Sequence, residues 1–205
     1  MKIAIIDYGM GNIHSVAKAV SLYGANPLIT NKKSDIASCD KFILPGVGAF
    51  DDAMFELEDQ GLVEAIKDQI NQKKPFLGIC LGMQLLLESS QEAKTKRGLG
   101  IFGGQVVKFS RKSGLKVPHM GWNELQVVQQ DCPLLKGISN NSPQVYFCHS
   151  YYPLPADESM IAATCDYELK FASVLWRDNV YGVQFHPEKS QTTGLEIIKN
   201  FVYLC

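Results

Sequence analysis

Cys80 sits in Gly78-Ile79-Cys80-Leu81-Gly82, the Gly-x-nucleophile-x-Gly pattern of a strand-to-helix elbow with cysteine at the reactive position. The apolar Phe76 to Ile79 predicts a strand running into Cys80, and Leu81 to Glu88 predicts a helix directly after it. So sharp a turn leaves no room for side chains near the nucleophile's backbone, which accounts for glycine at 78 and 82. A thiol at the first turn of a helix meets the positive end of the helix dipole, which favours the thiolate. Such a thiolate attacks carbonyl carbon, and that chemistry needs a base and donors for an oxyanion.

His186 can serve as the base, because it ends a predicted strand and is followed by Pro187-Glu188. A carboxylate two residues on reaches the ring nitrogen that faces away from the sulfur, fixing the tautomer and stabilising the imidazolium. One oxyanion donor is the amide of Leu81, next to the nucleophile. A second is expected from the glycine-rich Leu44-Pro45-Gly46-Val47-Gly48-Ala49-Phe50, at the amide of Val47. That segment lacks the Lys-Ser or Lys-Thr ending of a phosphate-binding P-loop. Gly9-Met10-Gly11-Asn12 is discounted as a dinucleotide loop because His14 occupies the third glycine position.

The elements that must hold these groups can be read around them. Short β-branched runs alternate with helical patterns in the first half: strands at 2–7, 27–30, 41–44 and 75–79, a helix at 12–22 and one or two helices over 51–73. That alternation predicts a parallel sheet covered on both faces, with ligands at its carboxyl edge. From Gly98 the texture becomes antiparallel, with strands at 103–109, 121–128, 145–148, 160–164, 172–176 and 180–185. Arg177-Asp178-Asn179 forms a hairpin turn between the last two. Residues 195–204 predict a closing amphipathic helix, and 89–97 a polar loop.

Composition narrows the partners. The chain has 205 residues, 46% of them apolar, and a formal net charge of −1, enough for one globular domain over 1–205 and no footprint for nucleic acid or an anionic membrane. The N-terminal apolar run is too short for a signal peptide, so a cytoplasmic protein is expected. The six cysteines, at 39, 80, 132, 148, 165 and 205, lack Cys-x-x-Cys pairs. Neither a metal site nor any cofactor is indicated, and all but Cys80 read as buried apolar residues.

Pro45-Gly46-Val47-Gly48, Gly78-Ile79-Cys80-Leu81-Gly82-Met83-Gln84 and Gln184-Phe185-His186-Pro187-Glu188 together resemble the class I (triad) glutamine amidotransferases, in that family's order and across nearly the whole chain. The resemblance implies a flavodoxin-like α/β fold with a central, mostly parallel sheet and an additional antiparallel section. It implies that Cys80 attacks the side-chain amide of glutamine, releasing ammonia from a glutamyl thioester that water then hydrolyses. By the same resemblance Gln84 and Glu92 would hold the amino-acid end of the substrate, and Gly48, Ser150 and Tyr151 would add backbone contacts.

Within the family, residues 7–12, 118–123 and 147–152 are similar to glutaminase subunits that pass ammonia to a (β/α)8-barrel cyclase in histidine biosynthesis, as a heterodimer. The docking face would then lie around Asn12, the Pro118–Asn123 stretch with His119 and Trp122, and Lys189, with Trp122 as its anchor. Subunits aminating sugars share these motifs. A stand-alone cysteine hydrolase and an idle scaffold subunit are the other readings, the last opposed by the intact Cys80, His186 and Glu188.

Overall fold

The computed structural model describes residues 1–110, 116–138 and 142–205. Alternation of strand and helix begins at once: β1 (Lys2–Ile6), α1 (Ile13–Ser21), β2 (Asn26–Thr30), α2 (Lys33–Ser38), β3 (Lys41–Gly46), α3 (Phe50–Asp59), α4 (Leu62–Asn71), β4 (Phe76–Cys80) and α5 (Leu81–Gln84). Then come short strands: β5 (Ser89–Ser90), β6 (Gly104–Lys108), β7 (His119–Glu124), β8 (Gln126–Val127), β9 (Gln144–His149), β10 (Tyr151–Pro155), β11 (Ile161–Asp166), β12 (Lys170–Arg177) and β13 (Val180–Val183). Helix α6 (Gln191–Tyr203) follows.

Eight strands form the main sheet in the order β2-β1-β3-β4-β13-β12-β11-β8. The pairings from β2 to β13 are parallel, and those from β13 to β8 antiparallel. This is the α/β arrangement expected, with its antiparallel extension. The period-two geometry of a strand sorts side chains to two faces. Ile3 and Ile5 of β1 enter the cluster built with Val16 and Val20 of α1 and Ile197 and Phe201 of α6. Ala4 and Ile6 enter the opposite cluster, with Ile36 of α2, Leu57 of α3 and Ile66 of α4. Arg177 pairs with Val180, so the hairpin turns on Asp178-Asn179 as read.

The structure departs from the sequence reading in several places, the unexpected strands β5 and β10 among them. Helix α2 was not expected: it is six residues long and buries Ile36 alone. The 51–73 pattern, read as one or two helices, is two, separated at Gly61, whose φ of 63° stops α3 from continuing. The helix after Cys80 ends at Gln84 instead of Glu88. The carbonyls of Leu85, Leu86 and Leu87 instead accept the amides of Leu99, Ile101 and Gly100, at 2.7, 3.0 and 3.3 Å. Finally, the 121–128 run breaks at Leu125 into β7, paired with β9, and β8, at the edge of the main sheet.

Besides its strand pairings, β3 is tied to α6 by a buried cation. Lys41 is 6% exposed, and its ammonium donates to the carbonyls of Phe201 and Val202, both at 2.9 Å, and of Cys205. Those carbonyls lie at the C-terminal end of α6, where a positive charge is favoured. Among the described residues, no helix is long and apolar enough to cross a membrane.

Candidate active site

Strand β4 delivers Cys80 to the carboxyl edge of the sheet, and the chain reverses there. Cys80 has φ 54° and ψ −107°, an unfavourable conformation for a residue with a side chain, held by packing on both sides. A Cβ on Gly78 would lie 2.6 Å from the Gly82 carbonyl oxygen, and one on Gly82 would lie 1.9 Å from the Leu44 carbonyl oxygen on β3. The obstruction therefore lies between the elbow and the neighbouring strand more than at the backbone of Cys80 itself. Because α5 has four residues, the positive helix end behind the thiol is one turn and not the longer helix expected.

Two flanking strands complete the site. Gly46 of β3 pairs with Cys80, so the loop through Val47 and Gly48 lies beside the sulfur together with the Leu81 amide. Gly48 has φ 99°, which a glycine adopts without strain. On the other side Val183 of β13 pairs with Ile79, and the chain runs three residues further to His186. Parallel pairing thus brings three distant segments to one edge.

The His186 ring joins the other two members of the expected set. Its Nδ1 lies 3.0 Å from Glu188 Oε1, and both side chains are buried, 4% and 1% exposed. Its second hydrogen-bonding partner is Cys80. Burial pulls the imidazolium down, but the hydrogen bonds and charges of Cys80 and Glu188 outweigh it and raise the His186 pKa to about 10. An imidazolium is therefore the favoured form of the ring, and Glu188, taking the Nδ1 proton, leaves the other nitrogen for the sulfur.

Burial acts on four of the other thiols. Burial pushes Cys132 up to about 11 and Cys165 and Cys205 up to about 12, and Cys39 is raised by the same cause. Cys148 is half-buried, and it shares the cleft with Cys80. Among the described residues, no group of histidine, cysteine and carboxylate side chains is placed to hold a metal.

A cleft of about 340 Å³ opens over the sulfur, lined by Val47, Leu81, His186 and all five residues expected at the substrate: Gly48, Gln84, Glu92, Ser150 and Tyr151. Glu92 is half-buried, and desolvation raises its carboxyl pKa even though Oε2 accepts from the Phe50 amide at 3.0 Å. Gln84 spends both amide hydrogens on protein, on the Tyr151 carbonyl and on Gln184 Oε1, each at 3.0 Å. Only its oxygen is left, so it can take hydrogens from a ligand and give none.

The residues expected at a docking face separate. Trp122 is 46% exposed, and its ring meets that of Tyr146 edge-on at 6.0 Å. Lys189 is exposed at the cleft and Asn12 is half-buried before α1. His119 is corrected: it lies on the opposite face of β7 from Met120, 3% exposed, stacked on Tyr167 with ring centroids 3.9 Å apart. Its Nδ1 is 3.1 Å from His149 Nε2, and burial holds the two rings down to about 4 and about 3, so both are neutral.

Sequence reasoning missed Ser190. Its buried hydroxyl donates to the His186 carbonyl at 2.6 Å and accepts from the Tyr146 amide at 2.9 Å, fastening the histidine turn to β9. A serine just ahead of α6 was the available signal.

The family profile described as "Glutamine amidotransferase class-I" matches residues 4–205. Relatives named imidazole glycerol phosphate synthase subunit HisH include that of Thermosynechococcus vestitus, 49% identical over 203 residues, covering 98% of this chain and 96% of that one. That of Geobacter sulfurreducens is 49% identical over 205 residues, covering 98% and 97%. Among solved structures, PurLQS from Thermotoga maritima superposes with a TM-score of 0.78 at 17% identity, covering 98% of this chain and 97% of that chain, a likeness of fold.

Proposed function

From the premise that this chain belongs to the class I glutamine amidotransferase family, we propose that it is the glutaminase subunit of an imidazole glycerol phosphate synthase, working through Cys80, His186 and Glu188. The observation that carries the reading is the buried His186 ring held between Cys80 and Glu188 at a cleft bordered by Val47 and Leu81. The Cys80 thiolate attacks the carboxamide carbon of glutamine. The carbonyl electrons move onto an oxygen that the Val47 and Leu81 amides are assigned to receive. As the C–N bond breaks, imidazolium gives its proton to the departing nitrogen and ammonia leaves. His186 then takes a proton from water, which attacks the thioester and frees glutamate and the thiolate.

Glu92 and the Gln84 oxygen suit the substrate's ammonium, because both present acceptors and no hydrogens to it. The test of the nucleophile is labelling by a glutamine analogue bearing an electrophile, followed by peptide mapping. Cys80 should be modified alone. Preferential labelling of Cys148, which shares the cleft, would overturn the assignment.

The same reading makes the protein a cytoplasmic subunit of a heterodimeric lyase, docked on a (β/α)8-barrel cyclase. Ammonia released to neutral water is mostly protonated and no longer nucleophilic, so direct transfer between subunits preserves it. Trp122 and Met120, 46% and 61% exposed on β7 near the cleft, supply an apolar anchor for that face. Trp122→Ala should weaken cyclase binding by about 30-fold, at the level of an aromatic hot spot, and reduce glutamine-dependent synthesis while ammonium-dependent synthesis persists. Unaltered binding would remove Trp122 from the interface, and binding to a sugar-aminating synthase in place of the cyclase would replace the partner.

A further inference from the structure

We propose that Gln184 is a further catalytic residue of the glutaminase reaction, donating a side-chain N–H to the Cys80 thiolate with its amide held in the donating orientation by Gln84. The inference rests on the reading of Cys80 as nucleophile. Gln184 follows β13, is fully buried, and places its Nε2 at 3.8 Å from Cys80 Sγ, a hydrogen-bonding separation for sulfur.

Which end of this amide faces sulfur is decided by its neighbours, since oxygen and nitrogen have nearly the same shape. The Tyr151 carbonyl can only accept, so the Gln84 atom 3.0 Å from it must be nitrogen. The same nitrogen lies 3.0 Å from Gln184, which must answer with oxygen. The Gln184 NH2 is then turned to the thiol.

The Tyr151 carbonyl is itself held from a second side. His149 Nδ1 lies 2.8 Å from it and can only donate there, leaving His149 Nε2 to accept from His119 Nδ1 at 3.1 Å. Asn123 Nδ2 completes the run, 3.4 Å from His119 Nε2, with its other hydrogen on the Asp166 carbonyl at 2.8 Å. Every link has one permitted direction while the two imidazoles are neutral.

The sulfur thus has a donor on each side, the His186 ring and the Gln184 amide. Hydrogen bonds to an ionised acceptor are about twice as strong as neutral ones, so a neutral amide favours thiolate over thiol without adding a proton that the reaction could misplace. Other titratable groups face the same centre: Tyr8 just after β1, Glu188 behind His186, His149 at the end of β9, and Glu92, Tyr146, Cys148, Tyr151 and Lys189 on the cleft. All are left in place by a substitution at 184.

The experiment is the pH profile of Cys80 alkylation by iodoacetamide in the unaltered protein, Gln184→Met and Gln184→Glu, with thermal unfolding in parallel. Gln184→Met should move the thiolate midpoint up by about one pH unit, slowing alkylation about tenfold below it, and Gln184→Glu should move it further because a carboxylate repels the thiolate. In glutamine turnover by Gln184→Glu, which keeps an acceptor for the Gln84 amide, kcat should fall while KM holds, since residue 184 does not line the cleft. Coincident midpoints in the three proteins would overturn the proposal.

Should the variants fail to fold, nuclear magnetic resonance on the unaltered protein decides. One Gln184 amide proton should move downfield as Cys80 ionises, and should not do so in Cys80→Ala; no movement overturns the donor role. A chain that turns over no glutamine would instead refute the glutaminase reading, and the alkylation profile would still report on Gln184.

Discussion

Glu188→Gln should slow glutamine hydrolysis by about 10²- to 10⁴-fold with the fold retained, the range expected when the orienting carboxylate of a triad becomes an amide. In the native site Oε1 takes the Nδ1 proton at 3.0 Å and presents the opposite nitrogen to Cys80. An amide can present NH2 to Nδ1, which selects the wrong tautomer. If it presents oxygen instead, it still removes the charge that offsets burial of the imidazolium. The His186 pKa then falls from about 10, and the thiolate loses its counter-charge.

The same substitution has a signature in stability. A histidine whose pKa is raised on folding, here from 6.5 to about 10, adds stability that is fully present below pH 6.5 and is lost as pH rises through about 10. The unfolding free energies of the native protein and Glu188→Gln should therefore differ most near pH 6.5 and converge above pH 10. Denaturant titrations across that range, with kcat at pH 7, are the measurements. Native-like turnover would mean that another group orients His186.

Gly82→Ala is expected to unfold the protein or to cost about 3 kcal/mol or more, the upper part of the range for overpacking. The added Cβ would lie 1.9 Å from the Leu44 carbonyl oxygen and 3.0 Å from its carbon. Both are backbone of a central strand, so relief requires β3 and the elbow to part. Gly100→Ala is the control: φ is 65° but nothing lies within 4 Å, so the cost should be about 1 kcal/mol from conformation alone. Equal midpoints in urea for the two variants would show that the elbow can open without loss.

What the sequence revealed about the site was local. Gly78 to Gly82 and His186 to Glu188 are each contiguous, so residue type and spacing expose their geometry. The hairpin at Asp178-Asn179 was legible for the same reason. Gln184 and Ser190 were not, because their roles come from atoms on other strands: Gln184 meets Gln84 at a separation of 100 residues, and Ser190 meets Tyr146 at 44. His119 was misplaced because the parity of β7 was unknown. Once β7 is paired with β9 through His119 and His149, its odd face is settled.

Fold errors had the same origin. Leu85 to Leu87 continue a helical pattern, yet tertiary partners capture their carbonyls. Pro153 and Pro155 concealed β10, a strand that tolerates them as the edge of its three-stranded sheet.

The insertion of β13 between β4 and β12 also bears on how the protein is made. On the ribosome, β1 to β4 emerge first and can assemble as a four-stranded sheet, but the free edge of β4 waits for Val180 and the residues after it. All five residues of β4 are buried in the finished molecule, so the waiting edge is apolar and unpaired, the form most prone to join a neighbouring nascent chain. Lys41 waits longer still, for the carbonyls of residues 201–205. The thiol therefore reaches the sheet edge well before its histidine, and a stalled or truncated product carries Cys80 without the His186 ring that lies beside it in the finished molecule.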